Sequence, residues 1–183
     1  MARLPLLTAA QISDDEPNIL RRIEQERGAV PNLYRVMATA PVLADAFRTL
    51  ALTLRNEIRL DPRLRELAIL SVASSAPSPY ELAHHKTMAL AVGVRADQLD
   101  ALDQFETAPA FDDVERAVMR YAREATVKLE VADATWDDLL TRVPSRQEAL
   151  EVVLQVALYN ASARITVPLR IELEAEFGNP DGA

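Results

Sequence analysis

The chain has 183 residues, 49% of them hydrophobic and 26% charged, a balance that suits one folded domain with a buried core and excludes a disordered chain. Its formal net charge of -8 opposes attraction to phosphate backbones and anionic lipid, so no nucleic acid and no membrane is expected as a partner. The absence of cysteine removes disulfides, thiolate nucleophiles and Cys-ligated metals; with no secretory-type leader and no apolar run of spanning length, the cytoplasm is the expected compartment.

Only 4 glycines occur and strand-like alternation is scarce, so the expected fold class is all-α, a single-domain helical bundle of about eight to nine helices over 1–183. Residues 1–12 read as an extended arm. Ser13-Asp14-Asp15-Glu16-Pro17 reads as a helix start, with capping oxygens and acidic charge near the positive dipole end, for a helix reaching Arg27. Gly28 and Pro31 break it, and Asn32 to Thr39 forms a short second helix. From Pro41 a third helix carries Val42, Leu43, Ala46, Leu50, Leu54 and Ile58 on one stripe, which should face a core.

Asp61 caps a fourth helix whose stretch Leu67 to Ala73 is apolar nearly all round, as befits a central position. Ser74 to Pro79 is a turn, and the fifth helix runs from there to Gly93. A shorter helix spans Arg95 to Leu102. After a loop at Thr107 to Pro109, Asp112 and Asp113 open a helix with Val114, Ala117, Val118, Tyr121 and Ala125 inward. Another piece covers Ala134 to Arg142. Ser145 and Glu148 form a capping-box pattern for the last helix, whose stripe is Leu150, Val153, Leu154, Ala157, Leu158 and Ala161. Pro168 ends it, and residues 177–183, with Gly178 and Pro180, are a tail.

Both histidines, His84 and His85, lie on the fifth helix just after the proline-bounded turn. Glu81 shares a face with His85 at i, i+4 and reaches His84 at i, i+3. The two imidazoles diverge by roughly 100 degrees, so at most one of them faces a given pocket. A carboxylate beside an imidazole fixes its tautomer and makes a proton shuttle that works near neutrality. The same pair on an open surface is worth only about 0.2–0.5 kcal/mol and decorates inert helices. Adjacent histidines point apart and no HExxH motif accompanies them, so no metal is expected. There is no glycine-rich phosphate loop and no GxSxG elbow, and no cofactor is expected. Glu66 either faces inward with a partner or lies on a polar strip with Arg63 and Arg65. Tyr159 and Asn160, with Arg164 one turn on, interrupt the last apolar run and line either a pocket or a subunit contact.

The run Arg63-Leu64-Arg65-Glu66-Leu67-Ala68-Ile69-Leu70, then Tyr80-Glu81, then His85 with Ala89 and Gly93, resembles the carboxymuconolactone decarboxylase and alkylhydroperoxidase-D superfamily. Pro31-Asn32-Leu33-Tyr34-Arg35 and Tyr159-Asn160 with Arg164 are similar too. In the peroxidase branch of that superfamily two cysteines stand where this chain has Ser78 and Glu81, while Glu66 and His85 match the family's glutamate and histidine. Without thiols, peroxide reduction through disulfide exchange is excluded. Members lacking the cysteines include decarboxylases of cyclic unsaturated lactone acids, in which a Tyr-Glu pair likewise precedes the histidine.

The resemblance implies an alkylhydroperoxidase-D-like helical subunit that assembles into a homo-oligomer (dimer, trimer or hexamer), with a small-molecule substrate bound near an interface. The function expected from it is that of a cofactor-independent lyase (decarboxylase) or isomerase acting on a small cyclic or conjugated carboxylated metabolite. His85, Glu81 and Glu66 would be catalytic, and Tyr80, His84, Tyr159, Asn160 and Arg164 would bind substrate. The alternative is a non-catalytic helical oligomer that binds a small molecule or protein partner on a former enzyme scaffold.

Overall fold

The structure, a computed structural model, describes residues 1–13, 18–175 and 177. Among the described residues there are nine α-helices and no strand. They are α1 (Ile19–Arg27), α2 (Asn32–Met37), α3 (Pro41–Asn56), α4 (Pro62–Ser75), α5 (Pro79–Ala91), α6 (Ala96–Asp100), α7 (Asp113–Lys128), α8 (Asp133–Arg142) and α9 (Arg146–Thr166), with 3-10 turns at Ala9–Gln11 and Leu102–Gln104. The chain is all-α, and no described helix is long and apolar enough to cross a membrane.

Of the helix start expected at Ser13 to Pro17, residues 14–17 lie outside the described residues, as do Gly178 and Pro180 of the expected tail. The first described helix is instead capped by Asn18, whose Oδ1 accepts from the Arg21 N–H at 3.1 Å. Its far end is closed by Gly28 in the left-handed region, φ 73, where a residue without a Cβ pays no steric penalty. The arm expected to be extended contains one 3-10 turn, held by Gln11 Oε1, which accepts from the Thr8 N–H at 2.9 Å and the Thr8 hydroxyl at 3.0 Å.

The chain divides into two compact units. Met1–Thr53 and Ile165–Ala183 make the first. Its core gathers Ile12, Ile19, Leu20, Ile23, Val30, Ala38 and Ala44. The arm is tied in by backbone hydrogen bonds from Arg3 to the Leu169 carbonyl (2.9 Å) and from Leu7 to the Arg35 carbonyl (3.2 Å).

Leu54–Arg164 make the second unit, in which α4 packs against both α5 and α7. Asp61 caps α4 by accepting from the Arg63 N–H at 2.7 Å, Pro62 opens its first turn, and every residue from Arg65 to Ala73 is buried. Leu67, Leu70, Ala89, Val94, Leu102, Phe105, Phe111 and Met119 form the core. Two buried carboxylates brace the frame. Glu115 accepts from Gln98 Nε2 and from the Asp112 N–H, both at 2.9 Å, and pairs with Arg63. Glu151 accepts the N–H groups of Arg59 (3.0 Å) and Leu60 (2.8 Å), fixing the loop that leads into α4.

Two expected stripes are only partly buried. On α3, Val42, Leu43 and Leu50 are exposed, and Ala44, Arg48 and Leu54 are the buried residues. On α9, Leu150 and Leu154 are exposed, while Glu151, Val152, Gln155, Val156, Tyr159, Ser162, Ala163 and Thr166 face inward with Leu158. The inward face of α9 is polar because it supplies partners to buried polar groups of the second unit. Apolar periodicity located the two helices but not their rotation.

Candidate active site

Glu66 lies in the second turn of α4, the helix with no polar face, and its exposure is 0%. A carboxylate there needs donors, because burial without them costs several kcal/mol. Arg65 supplies two, Nε at 3.2 Å and Nη2 at 3.1 Å to Oε1, and its Nη1 donates to the Arg55 carbonyl at 2.7 Å. The other oxygen of Glu66 meets His85 Nδ1 at 2.7 Å. Of the two places open to Glu66, the inward one with a partner is occupied; Arg63 turns away to Glu115.

His85 sits in the middle of α5 and is buried. With Nδ1 donating to a carboxylate, the neutral ring carries its lone pair on Nε2. That nitrogen faces Glu81 Oε2 at 3.7 Å, beyond a direct hydrogen bond. Glu81, one turn earlier on the same face, is itself buried and accepts a hydrogen bond from the Ser162 hydroxyl of α9. The ring of Tyr159, also on α9, meets the imidazole edge-on, centroids 4.7 Å apart at 87°. An imidazole is thus flanked by a carboxylate at each nitrogen, and the whole series Ser162, Glu81, His85, Glu66, Arg65 is out of solvent.

The charges follow from these contacts. Burial pushes the Glu66 carboxyl toward protonation, but the hydrogen bond and charge of His85, followed by those of Arg65, outweigh it and hold its pKa below the ordinary value. Tyr159 goes the other way. Burial raises its hydroxyl well above the phenol range and the nearby Glu81 and Glu66 add to this, while Arg55 opposes them. At neutral pH Glu66 is therefore an anion and Tyr159 a proton donor.

Of the expected site residues, His85, Glu81, Glu66 and Tyr159 come together. Tyr80 and His84 lie on α5 beside one another, rings 4.6 Å apart at 35°, with Tyr80 buried and His84 half-buried. The two adjacent histidines diverge as helix geometry requires. Asn160 and Arg164 are engaged elsewhere. Arg164 Nη1 donates to Asn160 Oδ1 at 2.7 Å, and Asn160 Nδ2 donates to Thr126 of α7 at 2.9 Å. Sequence reasoning missed Ser162, Arg65 and Arg55. Ser162 is three residues beyond Tyr159 and shares its face, a signal hidden by the apolar stripe that seemed to define the helix.

The all-α fold of the chain is seen in several solved structures. The debrominase Bmp8 in complex with 2,3,4-tribromopyrrole is similar with a TM-score of 0.80 and 22% identity, over 96% of this chain and 93% of that one. A peroxidase-related protein from Silicibacter sp. TM1040 gives 0.82 and 20%, over 96% and 93%. An alkylhydroperoxidase AhpD core protein from Ralstonia eutropha JMP134 gives 0.83 and 19%, over 97% and 95%. No curated protein sequence matches the chain. Residues 41–124, which hold Glu66, Glu81 and His85, match the Carboxymuconolactone decarboxylase family, and the chain has no cysteine.

Proposed function

We propose that this protein is a cofactor-independent lyase, a decarboxylase, or an isomerase acting on a small cyclic or conjugated carboxylated metabolite. One observation carries the reading: His85 is held between two buried carboxylates, Glu66 at 2.7 Å from Nδ1 and Glu81 at 3.7 Å from Nε2. Such a cluster contributes little to stability compared with apolar packing of the same volume, so its retention inside a core points to use. Two enzyme facts support the class. The matched family is named for a decarboxylase, and a protein of the same fold holds 2,3,4-tribromopyrrole, a small conjugated ring.

In this reading Glu66 orients the imidazole and stabilises its cation, and Nε2 is the working nitrogen. Decarboxylation breaks the bond between the ring carbon and the carboxylate carbon. The electron pair passes into the conjugated system as an enolate, and carbon dioxide leaves. For this step His85 starts as the cation held by Glu66; its Nε2 proton goes to carbon, leaving the neutral ring with the lone pair on Nε2, and Glu81 relays the replacement proton. Isomerisation uses the same nitrogen to remove a proton at one carbon and return it at another. Tyr159, kept protonated, can donate to the developing oxyanion. His85→Gln should lower turnover of a converted substrate by at least about a hundredfold while the fold, read by circular dichroism, is kept. Unchanged turnover removes His85 from the mechanism.

A second reading, a non-catalytic scaffold that binds a small molecule or partner, is favoured by the 5% exposure of the His85 side chain. Exchange of the imidazole protons with solvent separates the two. Fast exchange that a bound ring acid slows fits the enzyme; a ring closed to every ligand fits the scaffold.

We also propose that the chain is a homo-oligomer. Its support is the exposed apolar ridge on α9, Leu150 and Leu154 with Ala157 and Ala161, and the exposed Val42, Leu43 and Leu50 of α3. Each is a run at helical spacing that a second copy would cover. A single monomeric species at micromolar concentration in sedimentation would contradict it.

A further inference from the structure

Beside the His85 cluster, Arg55 has no carboxylate partner among the described residues and Gln155 has an unmet acceptor. Arg55, near the end of α3, is half-buried, and among the described residues no carboxylate lies within ion-pair distance of it; its Nη2 rests 3.9 Å from the sulfur of Met88. The neighbouring arginines are matched: Arg63 with Glu115 and Arg65 with Glu66. The Arg55 guanidinium also meets the Tyr159 hydroxyl, acting on it by a side-chain hydrogen bond and by its positive charge.

Gln155 is one turn before Tyr159 on the same inward face of α9. It is 2% exposed, yet its Oε1 has no hydrogen-bond partner. An unmet amide acceptor in a protein interior is uncommon and costs about 1–3 kcal/mol, so such a group marks a place where a donor is expected. Its neighbours along the helix face are all used: Glu151 on the loop before α4, Tyr159 on His85, Ser162 on Glu81.

We propose that Arg55 and Gln155 form the recognition end of the site and select a small planar ring acid: its carboxylate pairs with the Arg55 guanidinium, and an adjacent N–H or O–H of the same molecule donates to Gln155 Oε1. The inference rests on the acid–base reading of His85 for its place in the molecule, and it deepens that reading by naming the substrate class. It also replaces Arg164, whose guanidinium is held by Asn160, as the residue that fixes the carboxylate. Arg55 is suited to this because a guanidinium binds a carboxylate by two parallel hydrogen bonds. A ring with an acceptor in place of the N–H sets its lone pair against that of Gln155 and is rejected.

Three probes of nearly equal shape test this by calorimetric titration: pyrrole-2-carboxylate, furan-2-carboxylate, which lacks the ring N–H, and pyrrole-2-carboxamide, which lacks the charge. On the native protein the first should bind at least about tenfold more tightly than either of the others. Arg55→Met should erase the advantage of the acid over the amide, and Gln155→Met should erase that of pyrrole over furan, each leaving the other preference in place. Equal binding of the three probes by the native protein, absence of binding by pyrrole-2-carboxylate at millimolar concentration, or preferences that survive these substitutions would overturn the proposal. The native comparison stands even where a variant does not fold. Binding is read apart from turnover: a protein that binds with these preferences but converts nothing contradicts only the catalytic reading. One that converts a substrate while the preferences are absent contradicts only this inference.

Discussion

At Glu66 two opposing effects meet in one side chain. Burial favours the neutral acid, and His85 with Arg65 favours the anion more strongly, so the folded-state pKa lies below the ordinary 4.5. A depressed carboxyl pKa stabilises the fold at every pH above the unfolded value, and that stabilisation is lost as pH falls through the folded one. Melting temperature should therefore decline as pH drops below 4.5, and a Glu66→Gln variant should show a shallower decline there. Parallel profiles would contradict the assignment. Replacing the group outright is more severe. Glu66→Leu leaves a guanidinium and an imidazole buried without their acceptor and should destabilise the protein by about 3–5 kcal/mol in urea unfolding. A loss under about 1 kcal/mol would mean that Arg65 and His85 find other partners.

The sequence identified His85, Glu81 and Glu66 as candidates because an acid, an acid and a histidine recur at a recognisable spacing. What it left open was the direction of Glu66. On a helix buried on every side there is no polar face from which to read orientation, so the pairing with His85 depends on how α5 packs against α4. Asn160 and Arg164 are joined to one another. Their i, i+4 spacing satisfied them locally, and Arg164 caps its own helix carbonyl at Asn160 with a 3.0 Å hydrogen bond.

Helix α9 is the element where sequence and structure differ most usefully. Its apolar positions form a clean stripe, yet Leu150 is 54% and Leu154 44% exposed, while Glu151 and Gln155 are buried. Hydrophobic pattern assigns a stripe to the nearest core, and it does so by assuming that the core belongs to the same chain. Here the inward face must hold the loop before α4, the His85 ring and the Glu81 carboxylate, and those tasks need polar residues. The leftover apolar ridge is where the proposed second copy would sit. Leu150→Glu with Leu154→Glu should dissociate the assembly in sedimentation without loss of helix content, since both side chains face out of the protomer. An unchanged sedimentation coefficient would contradict a second copy on this ridge.

At the scale of the whole molecule, the fold class, the order of the helices and most of their ends were legible. Asp61, Gly28 and Pro168 punctuate the chain where short-range chemistry dictates, and such signals act within a turn or two. The division into two compact units was not legible, because the first unit joins both ends of the chain. Local pattern carries no trace of that pairing. The polar interior of the second unit likewise emerges only once helices distant in sequence are brought together.

The proposed function rests on proton transfer by one buried imidazole, His85. Ring carboxylates incubated with the protein in deuterium oxide and followed by proton NMR test it most directly. It predicts that a converted acid gains solvent deuterium at the carbon that loses carbon dioxide or shifts its double bond, and that His85→Gln slows this at least about a hundredfold. Product formed at the same rate by His85→Gln, or without solvent hydrogen at that carbon, would contradict it.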